Sequence, residues 1–173
     1  MKFFSGFCLN GEYELFKPWL NSNSYTVAGF SYGAQKALEY AITTKTRVDR
    51  LQLFSPAFFN NKDNKFKKLQ LIYFAKDKDQ YIENFLNNCA NSCNVDLKKY
   101  LKLDSKDDLK NLLYYQWQKD KIEFLLNKGI TIEVFLGESD KITDSKEALS
   151  FFKDITTTYY IKKANHILKV VND

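Results

Sequence analysis

Gly29-Phe30-Ser31-Tyr32-Gly33 fits Gly-x-Ser-x-Gly, the pattern of a nucleophile elbow, in which a tight strand-to-helix turn lifts a serine hydroxyl above the end of a sheet. The flanks have the required character. Ser24-Tyr25-Thr26-Val27-Ala28 reads as a short buried strand, and Ala34, Ala37, Leu38 and Ala41 recur at the spacing of one apolar helix face, predicting a helix over 32–43. The two glycines let the turn close and let helix pack on strand, while Ser31 is expected in a backbone conformation that costs energy. An ordinary glycine-rich strand-to-helix turn has a similar composition; the strand before it and the helix after it favour the elbow.

Outward from that turn, strands and helices alternate. Phe3-Phe4 reads as the end of a very short first strand, and residues 11–20 suggest a helix with Tyr13, Leu15, Phe16 and Leu20 on its apolar side. Leu51 to Phe54 forms a third strand, closed by Ser55-Pro56-Ala57. Residues 58–129 read as several helices rich in lysine and aromatics, with one strand-like run at Leu69-Gln70-Leu71-Ile72-Tyr73-Phe74. A parallel-strand rhythm returns at Ile130 to Leu136, followed by Gly137-Glu138-Ser139-Asp140, a helix at 144–153, a strand from Thr156 to Ile161, and a loop holding Ala164-Asn165-His166. The pattern predicts an α/β fold with a mostly parallel five-stranded sheet and right-handed crossovers. The stretch 58–129 is too long for a connecting loop. It is expected to be a helical cap over the strand ends, with 1–57 and 130–173 forming the core of a single domain.

A serine nucleophile needs a base to take its proton and an acid to orient that base. His166 is the only histidine in the chain and lies just after a strand, where ligand sites of parallel sheets collect. Asp140 stands between the two in chain order, also after a strand. Glu138 and Asp144 compete with it, but Asp144 has Glu147 three residues on, a capping pattern that accounts for it without chemistry. An oxyanion needs two preorganised N–H donors. The backbone of Tyr32 is the expected first donor, and Phe7, after Gly6 in the loop that follows the first strand, the second. Cys8 is a rival nucleophile without an elbow, and more readily lines the site or fills core space.

Composition excludes several classes. With 173 residues, 45% hydrophobic and 16% aromatic, the chain can bury a core, and with only 6 Gly and 2 Pro it is neither fibrous nor disordered. No segment approaches the ~20 apolar residues of a membrane span, and the start lacks the apolar stretch of a signal peptide, so a cytoplasmic protein is expected. Cys89 and Cys93 lack a second Cys or His pair, so neither a metal site nor another cofactor is expected. The net charge of +5 favours an acidic partner, yet the lysines are mixed with acids and make no nucleic-acid patch. Residues 58–129 carry 14 lysines against 10 aspartates and glutamates, which is most of that excess.

Ser31, Asp140 and His166 occur in the order of the α/β-hydrolase superfamily, and Ser5-Gly6-Phe7-Cys8-Leu9-Asn10 resembles the His-Gly-Trp-Gly-Leu-Asn oxyanion loop of the BioH-type esterases of biotin synthesis. The short length and the early position of that loop are similar to the compact BioV-type pimeloyl-acyl carrier protein methyl ester esterases. The resemblance is strongest at residues 3–10, 29–34, 51–56 and 130–142. Five of the superfamily's strands are evident, and they form one contiguous block. Ser5 stands where the family has His, and the seven residues after His166 leave room only for a stunted last helix. The BioH cap meets its carrier protein through arginines, whereas 58–129 contains none.

The resemblance implies a serine esterase that hydrolyses the methyl ester of pimeloyl-acyl carrier protein, with the acyl carrier protein as partner. Gly6, Phe58 and Phe59, with Phe66, Tyr73 and Phe74, would wall an acyl tunnel. Lys62, Lys65, Lys67 and Lys68 would steer the acidic carrier. The same residues also suit a broad carboxylesterase or acyl thioesterase, and a non-catalytic binding module could keep the scaffold.

Overall fold

The computed structural model describes residues 1–91 and 93–170. Five strands, β1 (Lys2–Phe4), β2 (Thr26–Phe30), β3 (Arg50–Phe54), β4 (Thr131–Gly137) and β5 (Thr157–Ile161), form one sheet in sequence order. Every neighbouring pair is parallel. Helix α1 (Tyr32–Thr43) links β2 to β3, and α6 (Ser145–Phe152) links β4 to β5. Four helices intervene between β3 and β4: α2 (Asn64–Lys76), α3 (Lys78–Ala90), α4 (Lys106–Tyr114) and α5 (Lys119–Asn127).

The central strands are buried on both faces, and alternation sorts their side chains. Leu51 and Leu53 of β3, with Ile132, Val134 and Leu136 of β4, pack with Ala34, Leu38, Ile122, Leu125 and Phe152 from α1, α5 and α6. The opposite face carries an aromatic ladder held by register: Phe30 pairs with Phe54, Phe54 with Phe135, and Phe135 with Tyr159. Phe54 and Phe135 stack at 4.9 Å, and Phe135 and Tyr159 at 4.7 Å. Phe16 covers the ladder, 4.8 Å from both Phe30 and Phe54. Below the ladder the same face turns polar: the Gln52 side-chain amide donates to Glu133 and to the Trp19 carbonyl, and Arg50 pairs with Glu133.

Two expectations are corrected. Residues 11–20 do not form a full helix: only a short 3-10 turn, Glu12–Phe16, is present, entered through Gly11 at φ 79°. Pro18, which has no N–H to donate, stands just beyond Lys17, which ends the turn. The strand-like run Leu69–Phe74 lies inside α2, whose N-terminus is fixed by Asp63 accepting from the Phe66 N–H. A short, mostly apolar run carries no periodicity that separates strand from buried helix. The expected stunted last helix is not formed by 167–170, where the Leu168 N–H donates to the Asn165 carbonyl and Val170 bridges Ala164; its remaining positions, 171–173, lie outside the described residues. No helix among the described residues is long and apolar enough to cross a membrane.

Candidate active site

The turn after β2 has the geometry its sequence implies. Ser31 sits at φ 52° and ψ −114°, a region that residues with a Cβ rarely occupy. Three backbone bonds hold it there: its N–H donates to the Phe54 carbonyl, and its carbonyl accepts from the N–H groups of Ala34 and Ala57. A Cβ on Gly29 would run into the backbone of Gly33 and Ala34, and one on Gly33 would land on the Phe4 carbonyl oxygen. Only glycine permits β1, β2 and α1 to meet this closely.

His166 approaches from the loop after β5. Its Nε2 lies 3.0 Å from Ser31 Oγ and its Nδ1 lies 2.7 Å from Asp140 Oδ2. All three side chains are essentially inaccessible to solvent. Facing a carboxylate, Nδ1 carries the proton, which leaves Nε2 free to accept from the serine hydroxyl. The ring packs against Phe30, 5.0 Å between centroids. Asp140 is held by the N–H groups of Ile142 and Thr143 on Oδ1 and by the Thr143 hydroxyl on Oδ2. Its competitors have other work: Glu138 accepts from the Lys163 N–H, and Asp144 caps α6. Asn165 anchors the histidine loop, donating to the Ala90 carbonyl and accepting from the N–H groups of Ile167 and Lys169.

Ser31 opens into a cavity of about 680 Å³. Phe7, Phe59, Phe66, Leu112, Leu113 and Ile142 contribute apolar wall, while Gln70, Gln80, Asn84, Lys76 and Lys141 contribute polar groups. Tyr73 also lines it. Neither the Phe7 nor the Tyr32 N–H has a protein acceptor among the described residues. Gly6 lies against the Phe30 ring, where a Cβ would come within 2.8 Å of it.

Several expected wall and surface residues lie elsewhere. Phe58 belongs to the opposite core, packed on Phe151 and Phe152, because successive side chains of an extended segment point to opposite sides. Phe74 stands behind Phe7, 6.0 Å from its ring. Lys67 is buried on the inner side of α2 with its ammonium over the Tyr114 ring, and burial pushes its pKa down. Lys65 and Lys68 are exposed and Lys62 is half-buried. Cys8 is buried and its thiol is pushed up to about 11, chiefly by burial, so it is protonated at neutral pH. The leucines of α4 were missed as cavity wall. Their helical spacing marks an apolar face but not what that face covers.

No family model and no curated protein sequence matches the chain. Solved structures do. MenH from S. aureus is 16% identical with a TM-score of 0.59, over 98% of this chain and 87% of that one. BioG from Haemophilus influenzae is 10% identical with a TM-score of 0.58, over 96% and 87%. Naproxen esterase (carboxylesterase NP) from Bacillus subtilis is 20% identical with a TM-score of 0.53, over 85% of this chain and 55% of that enzyme, so the chain spans little more than half its length. Identities this low speak to architecture alone: the chain has the α/β-hydrolase fold, in a reduced form built on five parallel strands.

Proposed function

We propose that the protein is a serine esterase and that its substrate is the methyl ester of pimeloyl-acyl carrier protein. The observation that carries the esterase reading is the continuous hydrogen-bonded run from Asp140 through His166 to Ser31 at the wall of an apolar cavity. Ser31 Oγ attacks the ester carbonyl as His166 Nε2 takes its proton, and Asp140 stabilises the imidazolium. The N–H groups of Phe7 and Tyr32 receive the oxyanion. Collapse expels methanol with the proton from Nε2. Water, deprotonated by the same nitrogen, then cleaves the acyl-serine to a carboxylate and restores Ser31. The finer assignment rests on the resemblance of residues 3–10 and 29–34 to the BioV-type esterases. An apolar cavity suits a seven-carbon acyl chain, and the exposed Lys65 and Lys68 suit an acidic carrier.

Mass spectrometry of the carrier-linked methyl ester tests both levels. Loss of one methylene mass with wild type, and not with Ser31→Ala, is the expected result. Loss of the whole acyl group would replace the esterase by a thioesterase. No change, with a fluorophosphonate probe failing to label Ser31, would leave a binding module. Charge reversal at Lys65 and Lys68 together is expected to lower kcat/KM on the carrier-linked ester about ten-fold at low salt, by slowing encounter. A small nitrophenyl ester is the control, and equal rates on the carrier-linked ester would remove these lysines from docking.

A further inference from the structure

The loop after β1 is fastened on either side of its central N–H. The Gly6 N–H donates to Glu12 Oε1 at 2.7 Å, and the Cys8 N–H donates to Asp104 Oδ2 at 2.9 Å. Between them the Phe7 N–H has no protein acceptor among the described residues, although Phe7 is buried and lines the cavity beside Ser31. The two carboxylates come from different parts of the chain. Glu12 lies in the turn that follows the loop, while Asp104 lies in the segment between α3 and α4. That segment is strapped to the loop: the Asn10 N–H donates to the Tyr100 carbonyl, the Lys102 N–H donates to the Cys8 carbonyl, and Leu9 bridges Leu101.

Glu12 is a costly way to hold a turn. It is fully buried, and desolvation raises its pKa against the opposing bonds from the Gly6 N–H, its own N–H and the Ser5 hydroxyl. Burying a carboxyl group in a core costs desolvation energy. Cys8 adds strain at φ 56°, a conformation that persists only where its surroundings enforce it. With a carboxyl oxygen accepting from the N–H on each side, the orientation of the peptide planes that flank Phe7 is fixed.

We infer that Glu12 and Asp104 are positioning residues that clamp the Gly6 and Cys8 N–H groups so that the intervening Phe7 N–H is left to aim at the oxyanion formed on Ser31. This rests on the serine-esterase reading above. The clamp acts on the transition state, because the oxygen moves onto the donor only as the tetrahedral adduct forms.

The test pairs alanine with the isosteric amide at each position, using p-nitrophenyl butyrate as substrate and phenylboronic acid as an analogue of the tetrahedral adduct. Asp104→Ala is expected to lower kcat about 10- to 100-fold with KM within two-fold, and to weaken the boronate by a similar factor. Asp104→Asn keeps an acceptor oxygen and is expected to recover most of the rate. Glu12→Ala and Glu12→Gln should follow the same order. Should the buried Glu12 variants fail to fold, the half-exposed Asp104 pair decides alone. Unchanged kcat and boronate affinity in Asp104→Ala, or a loss confined to KM, would overturn the clamp. Absence of any Ser31-dependent turnover in wild type would overturn the esterase reading, and the clamp with it.

Discussion

Ser31→Ala is expected to remove about 10⁶-fold from kcat while leaving the fold intact, and Ser31→Gly to remove as much while raising stability by about 1 kcal/mol. The two effects have separate causes at one residue. The hydroxyl supplies the nucleophile, and its loss leaves His166 Nε2, the base 3.0 Å away, with no serine proton to take. The Cβ supplies the strain, because φ 52° with ψ −114° is nearly reserved for glycine. Alanine keeps the Cβ and therefore the strain, so its melting temperature should match wild type. Glycine relieves it, against a penalty of about 0.5–1 kcal/mol for the freer unfolded chain, and for a domain of this size the gain amounts to roughly 2–4 °C. Kinetics on a nitrophenyl ester together with thermal melts read both. If Ser31→Ala retains activity, another group does the chemistry. If Ser31→Gly is no more stable than Ser31→Ala, the energy is not stored at this backbone position.

The elbow was legible because its requirements are local. A strand, two glycines around a serine and an amphipathic helix each follow from residues within a few positions of one another, and α1 occupies the span its apolar spacing predicts. Order along the chain then sufficed to bring Asp140 and His166 to Ser31, since every strand of a parallel sheet delivers its following loop to the same edge. What could not be read depends on contacts between distant segments. Phe58 and Phe59 are identical neighbours in sequence, and only the direction in which the chain leaves β3 sends one into the opposite core and the other to the cavity. Lys67 reads in sequence as part of a basic surface cluster, yet it is buried with its ammonium over the ring of Tyr114 from α4. Glu12 gave no signal at all. An acidic residue in a polar turn is ordinarily solvated, and its burial is created by the packing of the loop above it.

Gly33→Ala is expected to destabilise the protein by about 3 kcal/mol or more, at or beyond the upper end of ordinary overpacking. A Cβ there would land on the Phe4 carbonyl and lie 2.6 Å from the Ser5 carbonyl. A flexible side chain could swing away, but these are backbone atoms at the end of β1, tied to β2 by the register that pairs Phe4 with Gly29. Relief requires β1 to move away from α1, and β1 carries the loop that holds Gly6 and Phe7. The damage should therefore reach function as well as stability: a fall in melting temperature of roughly 6–12 °C, with kcat reduced in the protein that remains folded and KM little changed. The conservative comparison is Ala34→Gly one position on, in the same helix turn, which deletes a buried methyl without touching β1. It should cost stability through lost packing and helix propensity, about 1–2 kcal/mol, and leave kcat near wild type. Equal kcat losses in both would mean that activity follows general loosening of α1. A loss confined to Gly33→Ala would tie it to the distance between the helix and the loop after β1.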